Sequence, residues 1–394
     1  MNLDPLEPQL IGRLFGRGSP RGESPHVMKA ITPKVGFLAI GFVCLAAILV
    51  VAISQDALTA HAAPSALPVI FNAPKRVSSV EMPLSQDPVA IVFILVALLT
   101  PIFCAEQVEA IQGVVGMSKE NYLARPPELR GQEVPVSDLN NRVETANKAF
   151  RLVGNWPLSV LFLTFSALIS YIIYARLLAN GLLQSWNATA IPSDIWGRMV
   201  YAGWWANYQH HRFLAIALWA LGTYLFYFLL KQLLLGAVFA WYATFARRKH
   251  FGIIPNMEYN SDGYWGLRLL RRFMQWTFAS TIAHVITTLG VFIVWLRFSQ
   301  LTVALAAGVM LASSLVVFHP SLLAYRSVQD SKVRYLKEIA ACDKLKPEEK
   351  EKYYGRIWTN SNLPFRTRST VTAVTVYVLL PLMLAFVSSL ITRK

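Results

Sequence analysis

Charge is scarce in this chain. Only 15% of its 394 residues are Asp, Glu, Lys or Arg, whereas a soluble globular domain carries about a quarter. Acidic residues are the scarcer sign, 22 against 37 Lys and Arg, for a net charge of +15. Cysteine is rarer still. Cys44, Cys104 and Cys342 share no CxxC spacing and have no neighbouring His, which argues against a disulfide framework or a zinc site. GxSxG, HExxH, the P-loop pattern and desaturase-like histidine clusters are all missing, so no recognised catalytic constellation is present. No segment interleaves its basic residues with aromatics on a soluble face, which argues against nucleic acid as a partner. Together these absences point to a non-enzyme with no metal and no cofactor.

Apolar sequence fills the space that charge leaves. About 20 apolar residues span a bilayer core as a helix, and seven such runs occur at 35–54, 88–104, 156–178, 213–246, 273–296, 301–318 and 369–391. The expected fold is therefore all-α: a polytopic integral membrane helical bundle of about seven spans with cytoplasmic helical extensions. Basic residues are retained on the cytoplasmic side of inserted helices. Twenty-eight of the 37 Lys and Arg lie in 1–34, 105–154, 247–272 and 319–368, and these segments alternate with poor ones. The alternation predicts a cytoplasmic N-terminus and an outer C-terminus. It also places anionic lipid against the cytoplasmic face, where each basic residue gains about 1 kcal/mol.

The domains expected are a disordered cytoplasmic tail (1–34), a membrane domain of six spans (35–318), a basic cytoplasmic helical segment (319–368) and a seventh span (369–391). The run at 213–246 includes a cytoplasmic extension. A competing reading treats Ala60-His61-Ala62 as a cleavage site after a signal peptide, which leaves six spans. Trp186, Trp196, Trp204 and Trp205 are expected in the outer headgroup zone. Lys231 is expected near the inner boundary, with its stem reaching headgroups. On the cytoplasmic side, 106–115 reads as an amphipathic stalk, 138–153 and 325–341 as helices, and a further helix starts at Pro347.

One run carries a polar face. Thr277, Thr281, His284 and Thr288, with Ser280 and Thr287 beside them, recur at spacings of three and four. That puts them on one side of a helix, facing a neighbour or a wet cavity rather than lipid. Hydrogen bonding between helices is the structural reading; a proton or substrate path with His284 as its titratable group is the functional one. Ala304, Gly308 and Ala312 form a small-xxx-small seam suited to close helix packing. Haem ligation by His284 and His319 is disfavoured by their difference in depth. His210 and His211, adjacent in sequence, point about 100° apart on a helix and read as interfacial.

In the turn at 257–270, Asn260, Ser261, Asp262 and Gly263 are strong turn formers, and Asp262 is placed to cap the next helix. The layout of a long helix, a basic tip, this turn and a following hairpin resembles uncharacterised bacterial multi-span membrane proteins with a His-Pro-Asp-x-x-Gly-Gly-Leu motif. Asp262, Gly266 and Leu267 match that motif; Asn260, Ser261 and Trp265 depart from it. The resemblance implies a bacterial inner-membrane protein and no particular activity. The function expected is a scaffold, sensor or complex subunit working through its basic cytoplasmic helices, with a protein partner or a second copy. The alternative is a transporter or channel using the polar face around His284.

Overall fold

The computed structural model describes residues 28–58, 82–123, 136–175, 178, 200–248, 253, 267–291, 295, 300–343 and 345–359. Residues 1–27, Trp186, Trp196, the turn bearing Asp262 and Gly266, and the run at 369–391 lie outside the described residues. Among the described residues there is no strand, only an isolated bridge between Met82 and Trp204. The helices are α1 (Met28–Ser54), α2 (Pro88–Leu123), α3 (Val136–Val153), α4 (Trp156–Tyr171), α5 (Arg212–Arg248), α6 (Arg268–Gly290), α7 (Gln300–Ala341) and α8 (Pro347–Thr359).

Among the described residues, three stretches are long and apolar enough to cross a membrane: Val89–Asn121, Val143–Ala175 and Arg212–Thr244. The second is interrupted at Gly154 and Asn155, so its apolar part is α4. Large apolar side chains lie bare on α1 (Phe42, Val43, Val50), α2 (Ile91, Leu95, Leu99), α4 (Leu161, Leu163, Phe165) and α5 (Phe213, Ile216). In water such a belt would drive aggregation, whereas lipid tails cover it without penalty. The chain is a helical membrane protein.

Asp87 and Pro88 explain where α2 begins. Asp87 accepts the Ala90 amide (3.1 Å) as an N-cap, and Pro88 fills the first helical position, where an N–H would go unused. The helix runs through Pro101 without a break, 36 residues in all or about 54 Å, and buries Ile111 and Val115 of the predicted stalk. α2 packs along α6 and α5, α4 along α5, and α7 against α5 and α6. Gly222 lets α4 approach α5 closely, because a Cβ there would sit 2.3 Å from the Ser170 hydroxyl.

Among the described residues the packing divides into three cores. The largest joins α1, α2, α4 and the start of α5 with Trp204, Trp205 and Trp295. A second gathers Ile111, Val115, Phe150, Phe239, Phe273 and Val328 from five helices beyond the apolar belt. The third is small: Tyr335, Ile339 and Ile357 join the end of α7 to α8. α7 stops at Ala341 and α8 starts at Pro347, as the sequence predicts. Lys350 Nζ closes the α7 end by donating to the Ala340 carbonyl (3.0 Å), a cation at the negative pole of a helix.

Two expectations are corrected. Lys231 is buried rather than reaching for headgroups: its ammonium donates to the Val153 carbonyl at the end of α3 and to Ser159 Oγ. A helix C-terminus supplies the negative potential that lipid was expected to supply. Trp204 and Trp205 do not face headgroups either. They are 0% and 1% exposed, drawn inward by a carboxylate.

Candidate functional site

The antiparallel pair of α2 and α6 carries polar groups at both ends and along its middle. At one end Asp87, 0% exposed, is ringed by donors. Trp204 and Trp205 Nε1–H donate to Oδ2 at 3.1 and 2.9 Å. Trp295 Nε1–H reaches both oxygens at 3.0 and 3.1 Å. Indoles and amides donate only, so the set suits an ionised carboxylate. Burial pushes the Asp87 carboxyl above its usual range, and the three indoles with the Ala90 amide pull it part of the way back. The loop is pinned to this cluster: the Met82 amide donates to Gly203 O (2.8 Å) and the Trp205 amide to Met82 O (3.0 Å). His211 lies nearby, its Nδ1 3.3 Å from Gln55 Oε1; burial first, and then the charge of His210, hold its imidazole below the usual range.

At the other end Arg272 of α6 pairs with Glu106 of α2, and its second nitrogen lies 3.7 Å from Glu109. Asp87 and Glu106 are nineteen residues apart, about 28 Å along a helix. That matches the roughly 30 Å of a bilayer's hydrocarbon core.

Between the ends lies the predicted polar face. Thr277, Ser280, Thr281, His284 and Thr287 are buried and Thr288 is half-buried. Two glutamines join them from other helices. Gln107 of α2 donates to Thr277 Oγ1 (3.2 Å), and Ser280 Oγ donates to Gln232 Oε1 of α5 (2.7 Å). His284 Nδ1 lies 2.7 Å from the Ser280 carbonyl, which assigns the ring proton to that nitrogen. Five buried side-chain atoms have no hydrogen-bond partner among the described residues, and three belong to this node: Gln107 Oε1, Gln232 Nε2 and His284 Nε2. Buried polar atoms are nearly always paired, so the clustering is a property of the site.

Of the remaining sequence candidates, Gly308 and Leu267 are described and stand apart from the node's contacts. A Cβ at Gly308 would meet nothing within 4 Å, and the side chains of Ala304 and Ala312 fall outside the described set. Leu267 is buried in the second core and precedes the first turn of α6. No group of three or more potential metal ligands occurs among the described residues. Sequence reasoning missed Asp87, Gln107 and Gln232. For Asp87 a signal was present, an N-cap residue directly before a proline; for the glutamines there was none. No family model matches this chain, and no curated protein or solved structure matches it either.

Proposed function

We propose that the protein is a non-enzymatic, multi-pass component of a bacterial inner-membrane complex that holds a partner through its cytoplasmic helices. The carrying observation is α7. It runs unbroken for 42 residues, about 63 Å, twice the thickness of a hydrocarbon core. Its far end builds a core of its own with α8. The basic alternation puts that arm and the second core on the cytoplasmic face, in the orientation with Asp87 outside and seven spans in all. Anionic lipid gathers there by charge.

The test is purification from native membranes in mild detergent, comparing wild type with Ile357→Asp, which breaks the arm's core and leaves the bundle's contacts alone. A stoichiometric partner that wild type retains and the variant loses supports the reading; a lone monomer in both sinks it. A second reading is transport along the polar face. It is favoured by the three unpaired atoms at Gln107, Gln232 and His284.

A further inference from the structure

We propose that the node around His284 is an occluded binding site for a small, uncharged, hydrogen-bonding solute between the sizes of water and urea. Its closures are the Asp87–indole cluster at one end and the Arg272–Glu106 pair at the other. This inference rests on the transport reading and names its substrate class and its gates.

The donor and acceptor inventory defines the ligand. With its proton on Nδ1 facing the Ser280 carbonyl, neutral His284 presents a lone pair at Nε2. Thr277 gives its own proton to the Phe273 carbonyl, so it accepts from Gln107 Nε2, and Gln107 Oε1 is left as a second acceptor. Ser280 occupies Gln232 Oε1, leaving Gln232 Nε2–H as a donor. Two acceptors and one donor therefore come from three helices, on residues at most 6% exposed. Small solutes that both donate and accept hydrogen bonds match that inventory; water, ammonia and urea are of this kind.

Charge complementarity removes ions from the candidates. Arg272 is matched by Glu106 and Glu109, and the side chains of the node itself, Gln107, Gln232, Thr277, Ser280 and neutral His284, carry no charge. An ion at the node would be buried with no counter-charge, at prohibitive cost. The Asp87–indole cluster and the Arg272–Glu106 pair stand at the two ends of this helix pair. With the buried polar stripe from Thr277 to Thr287 between them, the arrangement fits an occluded carrier rather than an open pore.

The test uses the full chain in phosphatidylethanolamine–phosphatidylglycerol vesicles with stopped-flow readouts for water, ammonia and urea. Wild type is expected to exceed protein-free vesicles for at least one probe. Gln107→Met and Gln232→Met each remove one solute contact and should reduce that excess about tenfold, the worth of one good hydrogen bond. Arg272→Gln loosens a gate and should raise it. Both Met variants conserve volume, and either one suffices if the other misfolds. Wild type at the lipid-only level for all three probes overturns the inference, as does an excess that survives both Met variants. A parallel arm measures rubidium and proton flux. Ion flux that depends on Gln107, without neutral flux, overturns the solute class yet leaves transport standing; no flux of any kind removes both.

Discussion

Asp87 and His284 are both buried titratable groups on the same helix pair, and they are treated in opposite ways. Each oxygen of Asp87 is used, by three indoles and a backbone amide. His284 uses one nitrogen and leaves the other unpaired, with two glutamine atoms in the same condition nearby. A charged group that is completely satisfied rigidifies its surroundings, whereas a half-satisfied network is costly unless something completes it. The difference separates a structural closure from a place where a ligand fits.

The sharpest way to break that contrast is Asp87→Ala. It strands three buried indole donors and removes the cap of α2, so it should cost more than any other single substitution at either end, about 3 kcal/mol or more. Thermal unfolding in detergent measures it. An unchanged midpoint would show that the cluster is not the closure described. Arg272→Ala at the opposite end should cost less, about 1 kcal/mol, because both members of that pair keep some contact with solvent. Restoring the midpoint by adding Glu106→Gln would show that the loss came from stranding the carboxylate.

The two ends and the face between them differ in how far the amino-acid sequence alone reveals them. The stripe from Thr277 to Thr287 follows from helical spacing, since apolar neighbours fix which face turns inward. The start of α8 follows from Pro347 and the acidic turn after it, and the end of α7 from the stripe that runs from Tyr325 to Ile339. Partner choice is not legible in the same way. Trp204 and Trp295 reach Asp87 across 117 and 208 residues of chain, and Gln107 finds Thr277 across 170. Such pairings depend on which helices become neighbours, and periodicity carries no record of that. The headgroup contact expected of Trp204 and Trp205 failed for a related reason: an indole beside a buried carboxylate gains more there than at a headgroup.

Gln107→Met sharpens the comparison by sign. In a dry helix contact, replacing an unpaired buried amide with an apolar side chain of similar volume should stabilise slightly, by less than about 1 kcal/mol. In a filled site, the same change removes a contact to the solute, and the midpoint should fall instead. Melting curves with and without added urea or ammonium do not separate these cleanly, because the additives act on the whole fold. The informative measurement is therefore the midpoint in plain buffer, set beside vesicle permeability for the same variant.

The smallest expected effect belongs to His211, which sits beside the closed end and not in the node. Its folded-state pKa is lowered, by burial and by His210, so the unfolded chain binds the proton more readily. Stability from this group is present above the unfolded value of about 6.5 and declines as pH falls through and below it. Wild type should therefore lose melting temperature between pH 8 and pH 5 by a modest amount that His211→Asn reduces. The hydrogen bond to Gln55 needs only a donor at that position, and the Asn amide keeps one while removing the titration. If the slope survives in His211→Asn, the acid sensitivity lies elsewhere. The closed end would then owe nothing to a histidine, and its stability would rest on Asp87 and its indoles.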